Sequence, residues 1–196
     1  DRSLETLASN RVPENLAELA REQNEKVKTI IDNLGESEGQ RESPCKANFT
    51  SFDWRDYNVV TPVKDQGTCC SCWAFTAMSA YESSALFHNR LNVRRLNRLA
   101  NGSEQQILSC SNGGSCGGGG YGLAFQFLME NGTTIEKISP YSGEDLPCAT
   151  NMRTPLKADA WGYVRPDGGQ PSVSELKQAL CEHGPIAAAV TATDLF

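Results

Sequence analysis

Asp53–Phe75 reads DWRDYNVVTPVKDQGTCCSCWAF, and it decides how the rest of the chain is understood. Cys72 follows a loop containing Gln66 and Gly67, and it opens a run, CWAFTAMSAYESSALFHNR, with helical periodicity to about residue 90. Phe75, Met78, Ser79 and Glu82 mark its successive turns. A thiol at the start of a helix meets unpaired N–H groups and the positive end of the dipole, and both favour the thiolate. N–H groups of the same turn are donors for an oxyanion, and Gln66 adds a neutral side-chain donor. Two other readings stay open on this chemistry alone. Cys-x-x-Cys is also a redox motif, although there the Trp usually precedes the first Cys, whereas Trp73 follows the last. Cys69, Cys70 and Cys72 also suit structural disulfides.

Upstream, residues 13–34 predict one amphipathic helix, with Pro13 at its first position and Gly35 as C-terminal cap. Leu16, Leu19, Val27, Ile30, Ile31 and Leu34 would form its apolar stripe, and the Glu, Lys and Arg residues of 14–42 its solvated face. Residues 36–44 are polar and aperiodic and read as a linker. Downstream come a short helix at 103–110, the glycine-rich loop SNGGSCGGGGYG at 111–122, and a helix over 123–130. The aromatic and β-branched residues of 159–165 predict a strand. Ser172 and Glu175 make a capping-box pattern before a helix at 173–183, and Gly184-Pro185 turns the chain into an apolar strand, IAAAV.

Composition narrows the function classes. The 196 residues carry a formal charge of −6 with pI near 5.0, which argues against nucleic acid or an anionic membrane as partner. No apolar stretch is long enough to span a bilayer. The 8 cysteines suggest an oxidising compartment (extracellular, periplasmic or lysosome-like) and a disulfide framework. Their irregular spacing does not suit zinc, and no metal or organic cofactor is expected. Asn48, Asn101 and Asn131 each begin a glycosylation sequon.

Gln66-Gly67-Thr68-Cys69-Cys70-Ser71-Cys72-Trp73-Ala74-Phe75 resembles the nucleophile motif of the papain-like cysteine proteases. Asp53-Trp54-Arg55, Thr61-Pro62-Val63-Lys64, Ser103-Glu104-Gln105 with Cys110, Cys116-Gly117-Gly118-Gly119 and Gly184-Pro185 resemble further family segments, in order, over about 49–196. The resemblance implies an α+β, papain-like fold: a helical left domain around the nucleophile helix at 49–158, and the start of a β-barrel right domain at 159–196. Residues 1–48 would be an N-terminal helical extension or pro-segment remnant with its linker.

By the same resemblance Cys72 is the nucleophile and Gln66 the oxyanion donor. Gly118 and Gly119 would line the cleft, where a Cβ would block a substrate strand. Tyr121 and Ala189 would border the pocket for the side chain two positions before the cut. Cys69 would pair with Cys116 and Cys110 with Cys148, each disulfide worth on the order of 2–5 kcal/mol. Cys45 and Cys181 have no family slot and are expected to pair with each other. The partners implied are protein or peptide substrates.

Three departures accompany the match. Cys70 stands where the family has glycine, which places a second thiol by the nucleophile and narrows the pocket before the cut. Neither His88 nor His183 matches the family's catalytic histidine, so that histidine and its asparagine are expected in sequence beyond Phe196, as a continuation or a second chain. The N-terminal helix does not match the family's inhibitory propeptide motif.

Overall fold

The computed structural model of the chain describes residues 14–34, 43–88 and 101–190. Pro13, Gly35 and most of the linker read at 36–44 lie outside them. Helix α1 spans Leu16–Leu34, and a 3-10 turn, Trp54–Tyr57, is capped by Asp53. Helix α2, Cys72–His88, is the central element. Helix α3, Glu104–Cys110, has Ser103 as N-cap, its hydroxyl accepting from the Gln106 amide. The hairpin strands β1, Gly114–Ser115, and β2, Gly118–Gly119, follow. Helix α4, Tyr121–Glu130, starts two residues earlier than the periodicity predicts. Helix α5, Val173–His183, carries the expected capping box, with Ser172 and Glu175 each bonded to the other's backbone.

The core forms where α2, α3 and α4 meet. Trp73, Ala74, Ala77 and Met78 of α2 pack with Ile107 and Leu108 of α3 and with Ala124 and Leu128 of α4. Small residues on α2 let its neighbours approach, and Trp73 fills the space below the hairpin. A second cluster joins Trp54, Val59 and Leu86 to Cys45 and Cys181, and the Trp54 indole donates to the Leu180 carbonyl at 3.0 Å. The disulfides are Cys69–Cys116, Cys110–Cys148 and Cys45–Cys181, all three as expected. No helix among the described residues is long and apolar enough to cross a membrane.

Three expectations need correction. Residues 159–165 do not form a strand. Their aromatic content serves packing instead: Trp161 stacks on Phe125 with ring centres 5.7 Å apart and meets Tyr163 at 5.3 Å. The backbone groups a neighbouring strand would satisfy are taken by α1. Gln23 donates to the Trp161 carbonyl at 2.6 Å, and the Asn24 carboxamide both donates to the Tyr163 carbonyl and accepts from its amide. Strand propensity records fit to a sheet surface, and here no sheet surface faces the segment. The IAAAV run at 186–190 is likewise unpaired, and Val190 is exposed. The buried face of α1 matches the predicted stripe only in part: Leu16, Val27 and Ile30 are half-buried. Leu19 is exposed, whereas Ala20 and Gln23 are buried. Two glycines explain this: Gly162 lies against Asn24 and Val27, and Gly168 against Leu16 and Ala20, so close approach favours small and amide side chains over a leucine ridge.

Candidate functional site

The loop 65–71 is shaped by its own polar groups. The Asp65 carboxylate accepts from the Gly67 amide at 2.8 Å, and Gly67 takes a φ of +61°, a conformation open to glycine. The Gln66 carboxamide donates to the Cys69 carbonyl at 2.9 Å, which closes the turn. The Ser71 carbonyl then accepts from the Ala74 and Phe75 amides, so α2 begins at Cys72. Cys72 therefore stands in the first turn of a helix whose inner face, from Trp73 to Leu86, is buried.

The glycine hairpin is held beside this turn from two sides. The Cys69–Cys116 disulfide joins its tip to the loop, and the Cys70 amide donates to the Cys116 carbonyl at 3.0 Å. From below, the Trp73 ring supports it. A Cβ on Gly119 would lie 2.7 Å from the indole, and one on Gly113 equally close. Gly114 and Gly118 have φ of +156° and +112°. Gly118 and Gly119 are buried, and at Gly119 the contact with Trp73 and the Gly113 carbonyl by itself requires a bare backbone.

One contributor escaped the sequence reading. Tyr141, from the loop after α4, places its hydroxyl 2.6 Å from the Ser71 hydroxyl and donates to the Gln66 carbonyl at 2.9 Å. Its ring meets Phe75 edge-on at 4.8 Å, and its amide donates to Glu136. Nothing in the spacing of Ser-Pro-Tyr marks it, because the contact spans 70 residues. A second feature was equally silent. Lys64 reaches under α2 to Glu104 at 2.5 Å and Glu82 at 3.4 Å, and both carboxylates are buried. Glu82 also accepts from Thr61 and from the Gly102 amide. Burial outweighs Lys64 and pushes Glu104 up to about 7, and it raises Glu82 as well. The pocket walled by Lys64, Asp65, Phe75, Glu104 and Tyr141 lies behind the first turn of α2 and includes neither Cys72 nor Gln66.

Of the residues singled out in the sequence, Gln66, Cys69, Cys70, Cys72, Cys116, Gly118 and Gly119 come together here. Tyr121 opens the adjoining α4, half-buried against Phe125. Ala189 is exposed on the segment 185–190, not buried against Tyr121. His88 ends α2, roughly 24 Å along the helix from Cys72. It faces His183 at the end of α5, and desolvation and that neighbour hold it below the ordinary imidazole value. Among the described residues no group of three or more His, Cys, Asp or Glu is arranged to hold a metal ion.

The model of the papain family cysteine proteases matches residues 49–196, and the chain belongs to that family. It is 39% identical over 145 residues to a "Cathepsin L-like" protein of Caenorhabditis elegans, covering 71% of this chain and 40% of the relative. It is 37% identical over 149 residues to "Digestive cysteine proteinase 1" of Homarus americanus, covering 74% and 43%. The solved digestive procathepsin L2 proteinase from Tenebrio molitor larval midgut superposes with a TM-score of 0.53 at 30% identity, over 76% of this chain and 42% of that one. The fold is thus papain-like, with helices dominating the described part. The chain spans about 40% of the length of the curated relatives it matches. Three disulfides fit an oxidising compartment.

Proposed function

We propose that the chain supplies the nucleophile side of a cysteine peptidase. Cys72 attacks a peptide carbonyl to give a thioester acyl-enzyme, which water then hydrolyses. The observation that carries this reading is the seat of Cys72, in the first turn of a helix with a buried inner face and between the Gln66 loop and a disulfide-anchored glycine hairpin. Gln66 donates to the oxyanion. A carboxamide NH2 has two protons, and one held by the Cys69 carbonyl orients the other. Gly118 and Gly119 line the substrate strand's path, Tyr121 and Ala189 border the pocket two positions before the cut, and Cys70 narrows the position next to it.

Proteins or peptides are the substrates. The histidine and asparagine come from sequence outside these residues, as a continuation or a second chain. Residues 49–158 form the helical domain and 159–196 the start of the barrel domain, with 1–48 an extension or pro-segment remnant. An extracellular, periplasmic or lysosome-like setting accommodates the disulfides.

The test is covalent labelling by a peptidyl epoxide of the native protein, with the sequence that supplies the histidine present. An adduct on Cys72, lost in Cys72→Ser, is the expected result. Gln66→Ala should slow turnover about 10²–10³-fold, the usual cost of one oxyanion donor. An unreactive Cys72 in a folded protein would instead mean a module that holds extended peptides without cutting them.

A further inference from the structure

Burial alternates residue by residue through the segment that leads into α2. Cys69, Ser71 and Trp73 are 3%, 0% and 1% exposed, while Cys70 and Cys72 between them are both half-buried. Cys69 is committed to Cys116, Ser71 to Tyr141, and Trp73 to the floor of the hairpin. Cys70 and Cys72 both stand outside the three disulfides, and each keeps part of its surface at solvent. Two residue steps of backbone span at most about 7 Å. That is the upper edge of the Cα separation a disulfide bridges. The Cys70 amide donates to the Cys116 carbonyl, which fixes the backbone from which the first thiol projects.

We propose that Cys70 and Cys72 form a peroxide-responsive modification site, in which Cys70 resolves the oxidised form of Cys72. In the first step the Cys72 sulfur attacks one oxygen of hydrogen peroxide. The O–O bond breaks, an S–O bond forms, and the products are the Cys72 sulfenic acid and water. In the second step the Cys70 sulfur attacks the Cys72 sulfur. The S–O bond breaks, the Cys70–Cys72 disulfide forms, and a second water leaves with the thiol proton. Peroxide is the oxidant in the whole sequence and the two thiols lose two electrons. Closing the disulfide removes the sulfenic acid before a second peroxide converts it to the irreversible sulfinic acid, and a small thiol reopens it. Cys70 thereby acts as a safety catch on Cys72. The proposal goes beyond the peptidase reading and needs no catalytic base.

The full chain is treated with dilute hydrogen peroxide at neutral pH, quenched with iodoacetamide, digested without reduction and analysed by mass spectrometry. The expected product is a peptide lacking two hydrogens, linked between Cys70 and Cys72, and alkylated at neither. Brief exposure to free cysteine should restore alkylation at both, with Cys69–Cys116 still intact. Cys70→Ser should lose the linked peptide altogether and accumulate Cys72 with two added oxygens, which free cysteine does not reverse; Cys70→Gly serves if the serine variant misfolds. Sulfinic acid accumulating at Cys72 equally fast in the natural protein and the variant would overturn the proposal. So would a link from Cys70 to Cys69 or Cys116. Epoxide labelling of the unoxidised protein reports separately on the peptidase reading.

Discussion

The hydroxyls of Tyr141 and Ser71 lie 2.6 Å apart, and Ser71 is fully buried. Because the Tyr141 proton goes to the Gln66 carbonyl, the Ser71 proton must be the one shared between the hydroxyls. One phenol thus pins both ends of the loop that carries Gln66 and delivers Cys72.

Tyr141→Phe keeps the ring against Phe75 but removes the oxygen, stranding the Ser71 donor and the Gln66 carbonyl. The expected loss is about 1–3 kcal/mol in a denaturant titration. Epoxide labelling of Cys72 should also slow several-fold in the folded variant. A normal labelling rate with reduced stability would mean that Tyr141 supports the loop without positioning the thiol.

The buried Glu104 makes stability depend on pH in a particular window. Its carboxyl rises from 4.5 to about 7 on folding, so the folded state binds the proton more tightly. The stabilisation is complete below the unfolded value and fades as pH climbs from 4.5 to about 7. Glu82 acts in the same direction, whereas His88, held low in the folded state, favours folding above its ordinary value. Thermal midpoints across this window, compared between the natural protein and Glu104→Gln, isolate Glu104. The variant should flatten the decline, and an unchanged slope would exclude Glu104 as its source.

The Cys45–Cys181 disulfide closes a loop of 136 residues and clamps the start of the body to α5 beside Trp54. Replacing both cysteines with alanine should cost on the order of 2–5 kcal/mol through the greater freedom of the unfolded chain. At this chain length that corresponds to a fall of about 4–20 °C in Tm by calorimetry.

Gly119→Ala places a methyl against the Trp73 indole and the Gly113 carbonyl, neither of which is a flexible side-chain end. A loss of about 1–3 kcal/mol is expected. Gly117→Ala meets nothing nearer than the Ser115 hydroxyl at 3.4 Å and should be nearly neutral. Equal effects in urea melts would show that the hairpin does not rest on Trp73 as described.

Local signals were legible in the sequence wherever the cause was local. Apolar spacing gave α2, the Ser172–Glu175 box gave α5, and the motif around Cys72 gave the site's starting point. The strands expected at 159–165 and 186–190 failed because a strand is defined by its neighbour. In this structure Gln23 and Asn24 of α1 occupy the backbone groups of the first segment.

By itself, the order of residues determined which sulfur starts a helix, which glycines permit a tight loop, and which family these patterns belong to. Only the tertiary structure decided that Tyr141 would hold Gln66 and Ser71, that Lys64 would sit between Glu82 and Glu104, and which face of α1 would be buried. Helix starts and turns depend on groups a few bonds apart, so spacing encodes them. Buried polar contacts join segments tens of residues apart, and which groups meet there is settled only when packing excludes water and each must find a partner.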